Sequence, residues 1–117
     1  MKKTKYIFSA LALSIFLISC STTEIPEVIP EPIIELVSYN PDVKTIIDNN
    51  CVSCHSQGGA ASFLILDNYA SVRNATENGN LVPRMNNASN PMPPSGILSA
   101  QTRAVIDKWV TDGYLEN

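Results

Sequence analysis

Histidine occurs once in this 117-residue sequence, at position 55, and cysteine three times, at positions 20, 51 and 54. A structural zinc site needs four ligands. Cys20 has another role, argued below, so Cys51, Cys54 and His55 would need a carboxylate or a second chain to complete one. No stretch alternates apolar and polar residues as a half-buried strand does. That counts against the βαβ setting of a thioredoxin-like dithiol. A disulfide between Cys51 and Cys54 would close a very small loop and stabilise little. No internal repeat is present. The longest apolar run, Tyr6 to Ile18, has thirteen residues, short of the roughly 20 needed to span a bilayer.

That run has a different explanation. Lys2, Lys3 and Lys5 precede it, and Leu17-Ile18-Ser19-Cys20 follows it. A basic start, a short apolar core and a small residue before a cysteine fit a cleaved export signal. The final four residues look like the lipobox of bacterial lipoproteins. Residues 1–19 are therefore expected to be removed and Cys20 to be lipidated, with an uncleaved anchor as the alternative. Residues 20–117 then keep Lys44, Arg73, Arg84, Arg103 and Lys108 against eleven acidic side chains, a net charge of −6. Such a surface argues against nucleic acid or anionic lipid as a partner and suits a basic patch on a redox protein. The expected location is exported and lipid-anchored, facing the periplasm or on the outer membrane.

Cys51-Val52-Ser53-Cys54-His55 reads Cys-x-x-Cys-His, the attachment signature of a c-type haem. Two thiols at this spacing reach the two vinyl groups of one porphyrin and become thioethers. The histidine after them then lies under the iron as proximal ligand. Such haem is attached outside the cytoplasm, so the signature and the export signal agree.

Residues 20–38 are expected to be a tether. Pro26, Pro30 and Pro32 alternate with Glu24, Glu27, Glu31 and Glu35; proline fixes φ and the glutamates repel, favouring an extended chain. A single edge strand is the alternative there. The domain, residues 39–117, opens at Asn40-Pro41, an N-cap and a first helical residue. Val43, Ile46, Ile47, Asn50, Cys51 and Cys54 recur at helical spacing, with Asn49-Asn50 expected to fray the end. Gly58-Gly59 marks a flexible loop, and Phe63, Leu64 and Leu66 are expected against haem or core. Asp67 is the expected N-cap of a middle helix from about Asn68 to Thr76, closed by Asn78-Gly79-Asn80 with the glycine at C′; an Asn-Gly hairpin is the alternative. Leu81 to Arg84 suggests one more helical turn. Ser99 caps a last helix, about Ala100 to Asp112, which Gly113 closes. Its buried stripe is Val105, Ile106, Trp109 and Val110.

A haem held by His55 needs its other face assigned. With no second histidine, two-histidine coordination within the chain is impossible. Met1 leaves with the signal, so Met85 and Met92 remain, beside an open or exchangeable site. Met92 lies in Pro91-Met92-Pro93-Pro94, where proline stiffens the backbone and disfavours helical geometry at Met92. Met85 reads better as a gap-filling core residue. Together, Cys51-Val52-Ser53-Cys54-His55 and Met92-Pro93-Pro94-Ser95-Gly96 before a C-terminal helix resemble small bacterial class I cytochromes c, over about Tyr39 to Tyr114. The resemblance implies an all-α cytochrome c-like fold, three main helices around one covalent haem c, with Met92 as distal ligand. It also implies a one-electron carrier rather than an enzyme, served by redox partner proteins of unknown identity. The alternatives are a haem module of a larger oxidoreductase complex and a small haem enzyme or gas-binding protein with an open distal site. Arg84 is a candidate to neutralise a haem propionate.

Overall fold

The computed structural model describes residues 32–117. Within them the chain is helical, without strands. A π-helical turn, Tyr39–Val43, runs into α1, Lys44–Asn50; α2 is Tyr69–Glu77, α3 the single turn Leu81–Met85, and α4 Ala100–Thr111. No helix among the described residues is long and apolar enough to cross a membrane. The export signal, Cys20 and the tether up to residue 31 lie outside the described residues.

The first helical segment starts differently from expectation. Asn40 makes no cap and is itself non-helical, at φ −101° and ψ 119°. The Ser38 N–H instead donates to the Asp42 carboxylate at 3.0 Å. Asp42 thus reaches back over the entry turn, where an acidic side chain also complements the positive helix end. The expected fraying at Asn49-Asn50 does not occur: α1 runs through Asn50, whose side chain donates back to the Ile46 carbonyl at 2.7 Å.

α2 is capped by Asn68, whose side chain accepts from the Ser71 N–H at 3.0 Å. The expected cap, Asp67, lies one residue too early and accepts only from the Asn68 amide. Gly79 follows α2, but not for the left-handed conformation expected of it. A Cβ there would stand 2.7 Å from the Ala75 carbonyl oxygen, so close backbone approach is what requires glycine. α3 tolerates Pro83 because the first turn of a helix has no intrahelical acceptor for its N–H groups.

α4 follows expectation at both ends. The Ser99 hydroxyl accepts from the Thr102 N–H at 3.0 Å. Gly113, at φ 86°, closes the helix: its N–H reaches the Val110 carbonyl at 3.1 Å and the Tyr114 N–H reaches Trp109 at 3.0 Å. That pair of bonds is a Schellman motif, which satisfies carbonyls the helix leaves open.

One apolar core joins the elements. Val37, Tyr39, Val43 and Ile47 come from the start of the domain, Leu66, Val72 and Ala75 from its middle, Met85 from α3, and Ile106 and Trp109 from α4. Within the expected stripe of α4, Ile106 and Trp109 are buried, while Val105 and Val110 are half-buried. Trp109 packs against Tyr39, Tyr69 and Tyr114, with ring centroids 6.1, 6.4 and 5.2 Å away. The Tyr69 and Tyr114 contacts are edge-to-face, and such pairs add to the area they bury. The Trp109 indole N–H donates to the Leu115 carbonyl at 2.8 Å, and the Tyr69 hydroxyl donates to that of Tyr114 at 2.8 Å.

The two ends of the domain are bound together. Tyr39 and Asn40 donate their N–H groups to Leu115 and Glu116 at 2.7 and 2.9 Å. The Val37 N–H donates to the Asp112 carboxylate at 2.8 Å. Val37 is buried and Ile33 packs half-buried against the core, so packing begins six residues ahead of the boundary expected at Tyr39.

Candidate functional site

α1 delivers its last turn into the Cys-x-x-Cys-His segment. The Cys51 N–H still bonds to Ile47 at 2.8 Å, but its φ of −124° ends the helix. The chain then tightens: Cys54 and His55 both donate to the Cys51 carbonyl, at 3.1 and 2.9 Å. Cys51, Cys54 and His55 are thereby held on one short, bonded turn. Both thiols are free; Cys51 is half-buried and Cys54 exposed. Burial pushes the Cys51 thiol up from 9.0 to about 11. A redox dithiol needs the opposite shift, towards the thiolate, so this environment disfavours the thioredoxin-like alternative.

The His55 ring is oriented by the backbone. Its Nδ1 lies 2.9 Å from the Leu64 carbonyl oxygen. A carbonyl only accepts, so Nδ1 carries the proton and Nε2 keeps its lone pair. A metal-ligating histidine is commonly held this way, with the second nitrogen donating to a carbonyl that fixes tautomer and ring direction. The loop from His55 to Leu66 supplies that carbonyl because it is tied at its base. The Leu66 N–H donates to His55 at 2.8 Å and the Ala61 N–H to Cys54 at 2.9 Å. Gly59 makes the tie possible: a Cβ there would stand 2.3 Å from the Cys54 carbonyl oxygen. The expected flexible glycine pair is thus a tight loop, with Gly58 at φ 83° and Gly59 against the motif's own backbone.

Beside His55 the surface is apolar. Phe63 is 88 % exposed, its ring 6.4 Å from the imidazole in an edge-on arrangement. Leu64 and Ile65 next to it are also exposed, whereas Leu66 turns into the core. A large aromatic side chain left in water beside an oriented imidazole and two free thiols suits a flat, apolar group that would cover it.

The two methionines separate cleanly. Met85 is buried in the core, the gap-filling role expected of it. Met92 is half-buried on the loop between α3 and α4, its N–H donating to the Arg84 carbonyl at 3.1 Å. Arg84 turns its guanidinium to the Asn90 side chain at 3.3 Å.

Among the described residues no three His, Cys, Asp or Glu side chains gather as a metal-binding group; a zinc site of Cys51, Cys54, His55 and a carboxylate is not assembled. The turn brings together two free thiols and an imidazole with Nε2 available, donor types that could hold an iron porphyrin, while Met92 stands on the loop between α3 and α4. Sequence reasoning found these side chains but missed their supports. The Leu64 carbonyl has no side-chain signal, and Gly59 was visible only as part of a glycine pair. No family model, curated protein or solved structure matches the chain.

Proposed function

We propose that this chain is an exported, lipid-anchored c-type cytochrome of class I-like fold that carries one electron at a time at a membrane surface. The observation that carries the reading is the Cys-x-x-Cys-His turn whose imidazole is held through Nδ1 by the Leu64 carbonyl, leaving Nε2 to bind a metal. Cys51 and Cys54 would hold haem c by thioether bonds, His55 would be the proximal ligand and Met92 the distal one. The haem supplies an iron that gains and loses one electron without bond making or breaking.

The chain's own residues set the conditions for that exchange. The Leu64 carbonyl keeps the imidazole in one tautomer and raises its basicity. Phe63, Leu64 and Ile65, exposed beside His55, would offer a bound haem an apolar wall on that side. A dry wall and a thioether ligand both disfavour the additional charge of ferric iron, which raises the potential. The acidic surface directs the carrier towards basic patches on its redox partners. Cys20, through its lipid, would keep the protein at the membrane, and the proline- and glutamate-rich segment after it would hold the domain off the surface.

The test is the visible spectrum of the purified protein, oxidised and reduced. Sharp, reversible haem bands are expected, with a weak far-red band in the oxidised form that reports sulfur ligation. That band disappears in Met92→Ala and persists in Met85→Ala. High-spin iron that rapidly binds carbon monoxide or cyanide in the wild type would contradict a carrier with both axial positions filled.

A further inference from the structure

The segment between α3 and α4, residues 86–99, has no regular structure of its own, yet on the reading above it would have to present the Met92 sulfur to a haem. Pro91, Pro93 and Pro94 stiffen its middle. Stiffness does not fix where the segment stands, which depends on how its two ends are attached.

The cations of the described domain divide in a telling way. Lys44 pairs with Asp48, Arg73 with Glu77 and Lys108 with Asp112, each four residues on along its own helix. Among the described residues Arg84 and Arg103 form no ion pair, and both turn to this loop. Arg103 stands on the first turn of α4, half-buried. Its Nε donates to the Leu98 carbonyl at 3.0 Å, where the loop ends. One terminal nitrogen of the same guanidinium donates to the Asn86 side-chain carbonyl at 2.6 Å, where the loop begins. A planar fork of fixed geometry therefore holds both feet of the loop at once, a spread that the compact ammonium of a lysine does not reproduce. Halfway along, Arg84 grips Asn90 with its side chain and Met92 with its carbonyl.

We propose that Arg103 is a positioning residue for the distal ligand: by bridging Asn86 and Leu98 it clamps the Met92 loop and keeps the thioether at the iron against competitors. The inference rests on the haem reading for the ligand role, and on the hydrogen bonds alone for the clamp. A fixed loop would favour rebinding of the methionine sulfur over an external ligand. Loss of one arm increases the open population, and an external ligand then enters more readily.

Full-length wild type, Arg103→Lys, Asn86→Ala and the remote control Arg73→Lys are compared, each as purified. Two quantities are read: the concentration of free imidazole that displaces the far-red band, and hydrogen exchange at the Met92 amide. Removing one charge-assisted hydrogen bond should make imidazole effective at ~10-fold lower concentration and raise Met92 exchange by about the same factor. Arg73→Lys should change neither. Arg103→Lys and Asn86→Ala that leave both quantities at wild-type values would overturn the clamp. If Arg103→Lys fails to fold, Asn86→Ala, which removes the Arg103 arm together with the Asn86 amide's bond to the Val82 carbonyl, decides in the same way. A wild type that carries no haem overturns the haem reading and the ligand role with it, while exchange at Met92 still decides whether Arg103 holds the loop.

Discussion

His55 illustrates how one ordinary backbone carbonyl gives a side chain its chemistry. The imidazole would be ambiguous between two tautomers if Leu64 did not hold Nδ1. Cys51 is shaped by burial instead. With its pKa raised from 9.0 to about 11, the folded thiol keeps its proton through a range where the unfolded thiol has lost it. The folded chain then binds more protons than the unfolded one between pH 9 and 11, so stability falls as pH rises through that window. Haem attachment should abolish this effect, because a thioether does not titrate. The Cys51→Ala, Cys54→Ala double variant should retain no covalent haem and fold poorly, since a polypeptide of this size buries little apolar surface by itself. A compact, fully helical double variant, seen by circular dichroism, would contradict that role for the haem. The residues of the turn were legible in the sequence, because their types and spacing are the chemistry. Gly59 was legible only as a glycine, since the atom it avoids, the Cys54 carbonyl oxygen, is placed by the fold of the loop.

At the scale of elements, helix ends follow local rules except where two signals compete or packing from elsewhere in the chain intervenes. Ser99 and Gly113 bound α4 as expected because each is the sole strong signal at its end. At α2, Asp67 and Asn68 are adjacent and both are good caps. Only the extended backbone of Asn68, φ −149° and ψ 164°, shows which of them takes the role. Asn68→Ala should cost ~1 kcal/mol of stability and Asp67→Ala much less, measured by chemical denaturation. Equal losses would contradict the assignment. Asn40-Pro41 carried the signal for a helix start, but Asn40 is drawn instead into the pairing with the C-terminal tail, its N–H on Glu116. A contact with the far end of the chain overrides a local preference in this case. Gly59→Ala should cost about 1–3 kcal/mol, because the loop can admit a Cβ only by moving backbone. It should also loosen the His55–Leu64 contact, visible as a changed imidazole resonance. An unchanged stability and spectrum would contradict the close approach.

For the molecule as a whole, an all-helical body with a buried face on α4 was readable from periodicity. The way its ends meet was not, since neither the Val37–Asp112 bond nor the cluster of Tyr39, Tyr69, Trp109 and Tyr114 leaves a local trace. The Asp112 carboxyl is held below its ordinary 3.8, first by the Lys108 ammonium and then by the Val37 N–H. A depressed carboxyl contributes stability that is present above its unfolded pKa and is lost as pH falls through the folded value. Wild type should therefore lose stability as pH drops below 3.8. Asp112→Asn should be less stable than wild type at neutral pH and should lose less on acidification, by thermal melts across that range. Parallel acid limbs would contradict the link between the chain ends. Trp109→Ala should cost ~3–5 kcal/mol, because it empties the centre of the core. All of these features hold the turn of Cys51, Cys54 and His55 at the end of α1, and the central claim is that this turn carries a covalently bound haem. The most direct measurement is the intact mass and colour of the protein made in a host competent for cytochrome maturation. The account predicts a coloured protein whose mass equals the processed, lipidated polypeptide plus one haem; a colourless protein with the mass of the lipidated polypeptide alone would contradict it.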